Sequence, residues 1–223
     1  MNSSELKAKA KEFLVGKKKD AAVMVFVMFI ILLIVSGVIT AIFPGKTETK
    51  YLGGMQYEVT HSNPIASLLL LVVTVFLSLG ENSYFMKIAR GEEPELNDLF
   101  SKGNLVLKVF VTSLLVALVV CLGYIALIIP GIILSFAYSM YTLIYIDNPE
   151  IGIIESMKKS RLMMKGHKWE YFCLMISFLG WMILSVFTCG LLLFWLLPYI
   201  GVTTILFYDS IREENAKEPQ ETE

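Results

Sequence analysis

The chain has 223 residues, of which 56% are apolar and 17% charged, with a formal net charge of −1 at pH 7. An average soluble domain carries about 45–50% apolar and about 25% charged residues. The charge-free runs Ala21–Gly45, Ser62–Gly80, Val109–Ile146 and Tyr171–Tyr208 exclude a soluble enzyme, a nucleic-acid binder, a disordered chain and a disulfide scaffold, because uncharged stretches of about 18 residues or more read as bilayer spans.

In chain order, residues 3–16 form a basic amphipathic segment, expected as a helix in the headgroup layer. A first span follows at 21–43. It is too long for the apolar region of a signal peptide, and no small-residue cleavage site follows it. Residues 44–64 form the only sizeable segment on the far side. There, Glu48–Leu52 and Met55–Val59 flank Gly53-Gly54, the pattern of a β-hairpin. A second span is expected at 64–86.

The run from Val109 to Ile146 has 38 residues, which as one helix would be about 57 Å long. The hydrocarbon core is about 30 Å thick, so the run must fold back once. Pro130-Gly131 supplies a turn signal, through the missing proline amide and glycine's tolerance of positive φ. Spans are therefore expected at 105–128 and 131–147. Residues 149–165 then read as a second interfacial helix. Asn148 is placed as its cap, Pro149 at its first position, and Gly166 as its left-handed terminus. Its apolar face is read as Ile154, Met157, Arg161 and Met164, with Lys158, Lys159 and Lys165 largely opposite. The last run turns near Thr188-Cys189-Gly190 and gives spans at 170–188 and 191–209. Pro198 is expected as a kink or a second turn. The acidic tail 211–223 is expected to be disordered.

The fold class is thus all-α: a single membrane domain over 1–210, with six transmembrane helices arranged as three hairpins. A repeat is visible within it. Glu5–Gly16 and Glu155–Gly166 have the same length, end in glycine and precede a span at an offset of 150; a looser copy runs from Leu96 to Gly103. Of the 19 Lys and Arg residues, 17 fall on the side of the termini, and only Lys46 and Lys50 fall on the other. Positive-inside bias then places both termini in the cytoplasm.

No catalytic, metal or cofactor motif is present. His61 and His167 lie at opposite faces, and the three cysteines form no CxxC pair, so no enzyme is expected. Two candidate sites remain. Lys158, Lys159, Arg161, Lys165 and Lys168 make a basic cytoplasmic surface suited to anionic lipid headgroups or a membrane-protein partner, at about 1 kcal/mol per basic residue near such a surface. Glu81 is either an interfacial carboxylate paired with Lys or Arg, or one wall of a polar cavity with Asn82, Tyr145, Asp147, Tyr208 and Asp209. Lys108 is a candidate to neutralise it. Such a cavity would suit a transporter or lipid-handling protein. No ionisable residue is expected near the bilayer centre, which disfavours a proton relay. Nothing in the sequence fixes an oligomeric state.

Three stretches carry a family likeness. They are Ala89-Arg90-Gly91-Glu92-Glu93 on to Asp98-Leu99-Phe100, then Ile129-Pro130-Gly131-Ile132, then Asp147-Asn148-Pro149 through Ser160–Gly166. With Lys168-Trp169 and Leu197–Ile200, the chain resembles the bacterial integral-membrane family known as domain of unknown function 975. More distantly it resembles the membrane domain of some glycerophosphodiester phosphodiesterases. The resemblance implies six helices in the plasma membrane and carries no activity with it.

Overall fold

The computed structural model describes residues 3–217. Its elements are α1 (Ser3–Phe13), α2 (Lys18–Ile42), β1 (Lys46–Leu52), β2 (Met55–His61), α3 (Pro64–Ala89), α4 (Val106–Ala126), α5 (Ile128–Ala137), α6 (Tyr141–Asp147), α7 (Ile153–Met163), α8 (Lys168–Phe187) and α9 (Leu193–Lys217). Short 3₁₀ turns at Leu96–Leu99 and Gly103–Leu105 lead into α4. Six stretches are long and apolar enough to cross a membrane: α2, α3, Leu96–Ala126, the broken pair α5–α6, α8 and α9. Their outward side chains are apolar and exposed, as in Ile34, Ile125, Val186 and Phe187, which suits contact with acyl chains.

Local chemistry explains most boundaries. Asn63 is extended, and its side chain accepts a hydrogen bond from the Ile65 amide at 3.0 Å. Pro64, which lacks an amide proton, takes the first helical position. Gly53 and Gly54 both have positive φ, 59° and 84°, which closes a two-residue hairpin between β1 and β2 with Leu52 opposite Met55. Thr188–Gly190 forms the last turn, with Cys189 and Gly190 at φ 51° and 82°, and Pro198 lies inside α9.

Several expectations are corrected. The turn after α4 falls at Leu127, which is extended at φ −166° and ψ 155°, and Pro130 lies in the first turn of α5. Gly131 is needed for contact: a Cβ there would overlap the Tyr124 ring of α4. The second amphipathic helix begins at Ile153, after Gly152, so Asn148 and Pro149 belong to the preceding turn. Its buried face is Ser156, Met157, Ser160, Met163 and Met164, whereas Ile154 and Arg161 are exposed. The reason is a break in the neighbouring span. Between α5 and α6 the helical ladder is interrupted at the Ala137 carbonyl and the Met140 amide, and the Ser160 hydroxyl takes up both. It donates to the Ala137 carbonyl at 3.0 Å and accepts from the Met140 amide at 3.2 Å. The polar face turns inward because it satisfies backbone that would otherwise be orphaned. Helix α9 continues to Lys217, so residues 211–217 of the tail expected to be disordered are helical; residues 218–223 lie outside the described residues.

The repeat is present in three dimensions. Bounds of α1 and α2 map onto α7 and α8 at an offset of 150: Ser3–Phe13 onto Ile153–Met163, and Lys18 onto Lys168. Gly16 and Gly166 share positive φ, 82° and 94°. Buried Leu6, Ala10, Leu14, Ala21, Met24 and Met28 correspond to buried Ser156, Ser160, Met164, Tyr171, Leu174 and Phe178. Packing is cyclic, because each unit leans on the one before it. Helix α1 packs on α8 and α9, the turn Leu96–Leu99 on α3, and α7 on α6 and α4. In the same sense α2 packs on α9, α4 on α3, and α8 on α5.

Candidate functional site

The ends of α3, α6 and α9 converge at the basic end of the bundle. Arg90 follows α3, Asp147 closes α6, and Tyr208, Asp209 and Arg212 lie on α9. The Arg90 guanidinium engages both carboxylates. It donates to Asp147 through Nη1 at 2.8 Å and Nη2 at 3.1 Å. It reaches Asp209 through Nη2 at 2.8 Å and Nε at 3.3 Å. Arg212 donates to Asp147 from the other side, and the Tyr208 hydroxyl donates to Asp147 at 3.0 Å. Two arginines thus balance two aspartates. A carboxylate at the C-terminal end of α6 faces the negative end of that helix, and the paired arginines offset it. Burial pulls the Arg90 guanidinium down, but its hydrogen bonds to Asp147 and Asp209 and their charges outweigh this and hold it well above its ordinary value. Arg90 remains a cation at any accessible pH.

Beside this cluster is a polar cleft of about 360 Å³, reached by Lys87, Arg90, Asp98, Lys102 and Asp147. Its rim is fixed by the segment after α3. Asp98 accepts from the Glu95 amide at 2.7 Å and pairs with Lys87 at 2.8 Å. Leu99 lies against Gly80, where a Cβ would overlap the Leu99 carbonyl.

The six cavity residues named from sequence do not form one constellation. Asp147, Tyr208 and Asp209 meet as described. Tyr145, two residues before Asp147 and so on another side of α6, is buried with its hydroxyl 2.9 Å from Thr112 Oγ1 of α4. Asn82 is spent on its own helix, donating to the Ser78 carbonyl at 2.7 Å. Glu81 is half-buried and has no hydrogen bond or ion pair among the described residues, and the Arg90 end of α3 lies about 13 Å further along the helix. Lys108 donates to the Pro149 carbonyl at 2.9 Å and not to Glu81. Sequence reasoning missed Arg90 and Arg212 as site residues. Arg90 lies nine residues beyond Glu81, which ends one neutral run, and Arg212 three beyond Asp209, which ends another; nothing local singles either out from the other basic residues there.

The five basic residues of the surface site behave differently. Lys158, Lys159, Arg161 and Lys165 are exposed, Lys168 is half-exposed, and none pairs with an acid among the described residues. Exposed Ile154, Leu162 and Trp169 stand among them. No group of three or more His, Cys, Asp or Glu placed to hold a metal ion occurs among the described residues, and Cys121, Cys173 and Cys189 are free and exposed.

Fold and site together define a six-span helical membrane protein built as three cyclically packed units and tied at one end by a neutral arginine–aspartate cluster. A family model described as "Protein of unknown function (DUF975)" matches residues 1–130 and 124–215, and the chain belongs to that family. The match lends no support to the more distant phosphodiesterase likeness. No curated protein and no solved structure matches this chain.

Proposed function

We propose that this is a non-enzymatic bacterial plasma-membrane protein, with both termini cytoplasmic, that gathers anionic lipid headgroups around its basic end. The observation that carries this reading is the contrast between two sets of cations. Arg90 and Arg212 are neutralised by Asp147 and Asp209, whereas Lys158, Lys159, Arg161, Lys165 and Lys168 have no acidic partner among the described residues. A helix that presents free cations beside exposed Ile154 and Leu162 matches the boundary between headgroups and acyl chains. An acidic membrane-protein partner would use the same charges. The polar cleft is a weaker basis for a transporter, because its aspartates are already paired.

The test replaces all five basic residues by Glu. Wild type and variant are placed in mixed phosphatidylcholine–phosphatidylglycerol bilayers and excised with a styrene–maleic acid polymer. Wild-type particles are expected to be enriched in phosphatidylglycerol over the bulk, and the enrichment falls in high salt. In the variant it falls toward the bulk ratio while helix content is unchanged. Equal lipid ratios around the two proteins would overturn the proposal, and loss of a co-purifying protein in its place would assign the surface to a partner.

A further inference from the structure

Helix α1 does more than rest at the bundle's edge. Lys7 donates from Nζ to the Ser177 carbonyl of α8 at 3.3 Å and lies over the Phe178 ring, 4.4 Å from its centroid. Tyr199 of α9 donates its hydroxyl to the Lys7 carbonyl at 3.3 Å. Ser177 is nine residues into α8, about 14 Å from Lys168, so α1 is wedged between α8 and α9 well below their basic ends. Leu6, Ala10 and Leu14 are buried in that wedge.

Below the wedge the two helices stay apart. A slot of about 440 Å³ opens there, with Leu14 above it, Trp181 of α8 on one side, and Trp195 and Leu196 of α9 on the other. Its volume falls within the range of about 300–1,000 Å³ typical of ligand pockets. The lining is mostly apolar, but Lys11 and Lys18 are part of it; both are exposed, Lys11 stands 6.0 Å from the centroid of the Tyr199 ring, and neither pairs with an acid among the described residues. The related hairpin α4–α5 has no such gap, because Gly123 and Gly131 bring its two helices into contact. The slot therefore lies where the α1–α2 segment meets α8 and α9, between two units.

We propose that this slot binds a single anionic phospholipid, with its phosphate at Lys11 and Lys18 and an acyl chain between Trp181 and Trp195. Charge complementarity selects the occupant. A mostly apolar slot lined also by two lysines that have no acidic partner among the described residues fits an amphiphile carrying a negative head, and neither a neutral lipid nor a free anion uses both parts. The site lies apart from the basic surface on α7 and stands whether or not that surface gathers lipid.

Tryptophan quenching tests it. Trp169 stacks on Phe172 outside the slot, so Trp169→Phe leaves Trp181 and Trp195 as the emitters. That protein is reconstituted with phosphatidylglycerol or phosphatidylcholine brominated on the acyl chains, at equal mole fraction. Brominated phosphatidylglycerol is expected to quench at lower mole fraction, by roughly fivefold for each lysine, which is the ratio given by about 1 kcal/mol per basic residue at an anionic surface. The preference is lost in Lys11→Gln/Lys18→Gln. It persists when the five basic residues of the α7–α8 surface are replaced by Glu, which separates this site from the surface. Equal quenching by the two lipids, or a preference that survives loss of both lysines, overturns the proposal.

Discussion

The two ends of the bundle are built on opposite plans. At the basic end, Tyr84–Met86 of α3, Leu143–Ile146 of α6 and Phe207–Tyr208 of α9 are buried against one another, and the Arg90 cluster closes over them. At the other end, β1 and β2 are exposed along nearly their whole length, and the helices that lead to them present apolar side chains outward. Inside a bilayer, burying apolar surface between helices gains little over lipid contact, so association rests on close packing and polar bonds. The ion pairs are concentrated at the basic end, while close packing also occurs at the far turn of α4–α5 through Gly123 and Gly131. The charged ties thus lie at one pole, and apart from that turn the far halves of the helices mostly face lipid.

The largest test of this contrast is the removal of Arg90. Arg90→Ala leaves Asp147 and Asp209 facing each other with only Arg212 near. Arg90 is 29% exposed and its two partners 15% and 18%, so the expected loss is about 3 kcal/mol, the low end for breaking a buried pair. Arg90→Lys should recover only part of this, because an ammonium cannot grip two carboxylates as a fork does. Unfolding of the protein in detergent, followed by circular dichroism against temperature, measures both. A loss below about 1 kcal/mol, the value of an exposed pair, would mean that the pole is not tied by charge.

A smaller effect sharpens the comparison through two glycines. Gly80 lets the Leu99 backbone approach α3, whereas Gly37 on α2 has open space around it. Gly80→Ala should therefore destabilise by about 1–3 kcal/mol through overpacking. Gly37→Ala should leave stability unchanged or raise it by up to about 1 kcal/mol, since alanine is the better helix former. If both substitutions cost the same, the close approach of the Leu99 backbone to α3 does not tighten the bundle there.

Much of this architecture was legible in the sequence. Neutral runs longer than the bilayer gave the six spans, and the 150-residue offset gave the relation between α1–α2 and α7–α8. The hairpin followed from Gly53-Gly54. What stayed hidden depended on contacts between distant segments. Periodicity grouped Ile154 with Met157, Arg161 and Met164 on one face of α7, but the face that packs inward includes Ser160, which satisfies the gap between α5 and α6, and that gap carries no proline or glycine to announce it. Glu81 drew notice as an ionisable residue within a span, yet the carboxylates that meet are Asp147 and Asp209, because three helix ends converge there. Convergence of that kind is set by the cyclic packing and leaves no local trace.

The smallest effect concerns the far pole. A two-stranded hairpin alone is marginal in water, and here Tyr51, Leu52 and Met55 at its tip are exposed. Its internal ties are modest: a contact of 3.2 Å between the Thr47 and Thr60 hydroxyls, and a Glu48–His61 pair at 3.8 Å. Replacing residues 46–61 by a short Gly-Ser linker should therefore shift thermal stability by no more than about 0.5 kcal/mol, the usual range for surface changes. In the intact protein the amides of β1 and β2 should exchange with solvent deuterium far faster than those of α3 between Ser83 and Ala89. A large loss of stability on deletion, or slow exchange at Tyr51 and Met55, would show that the hairpin is held by a second copy or another protein. The asymmetry between the poles would then belong to the isolated chain and not to the protein as it works.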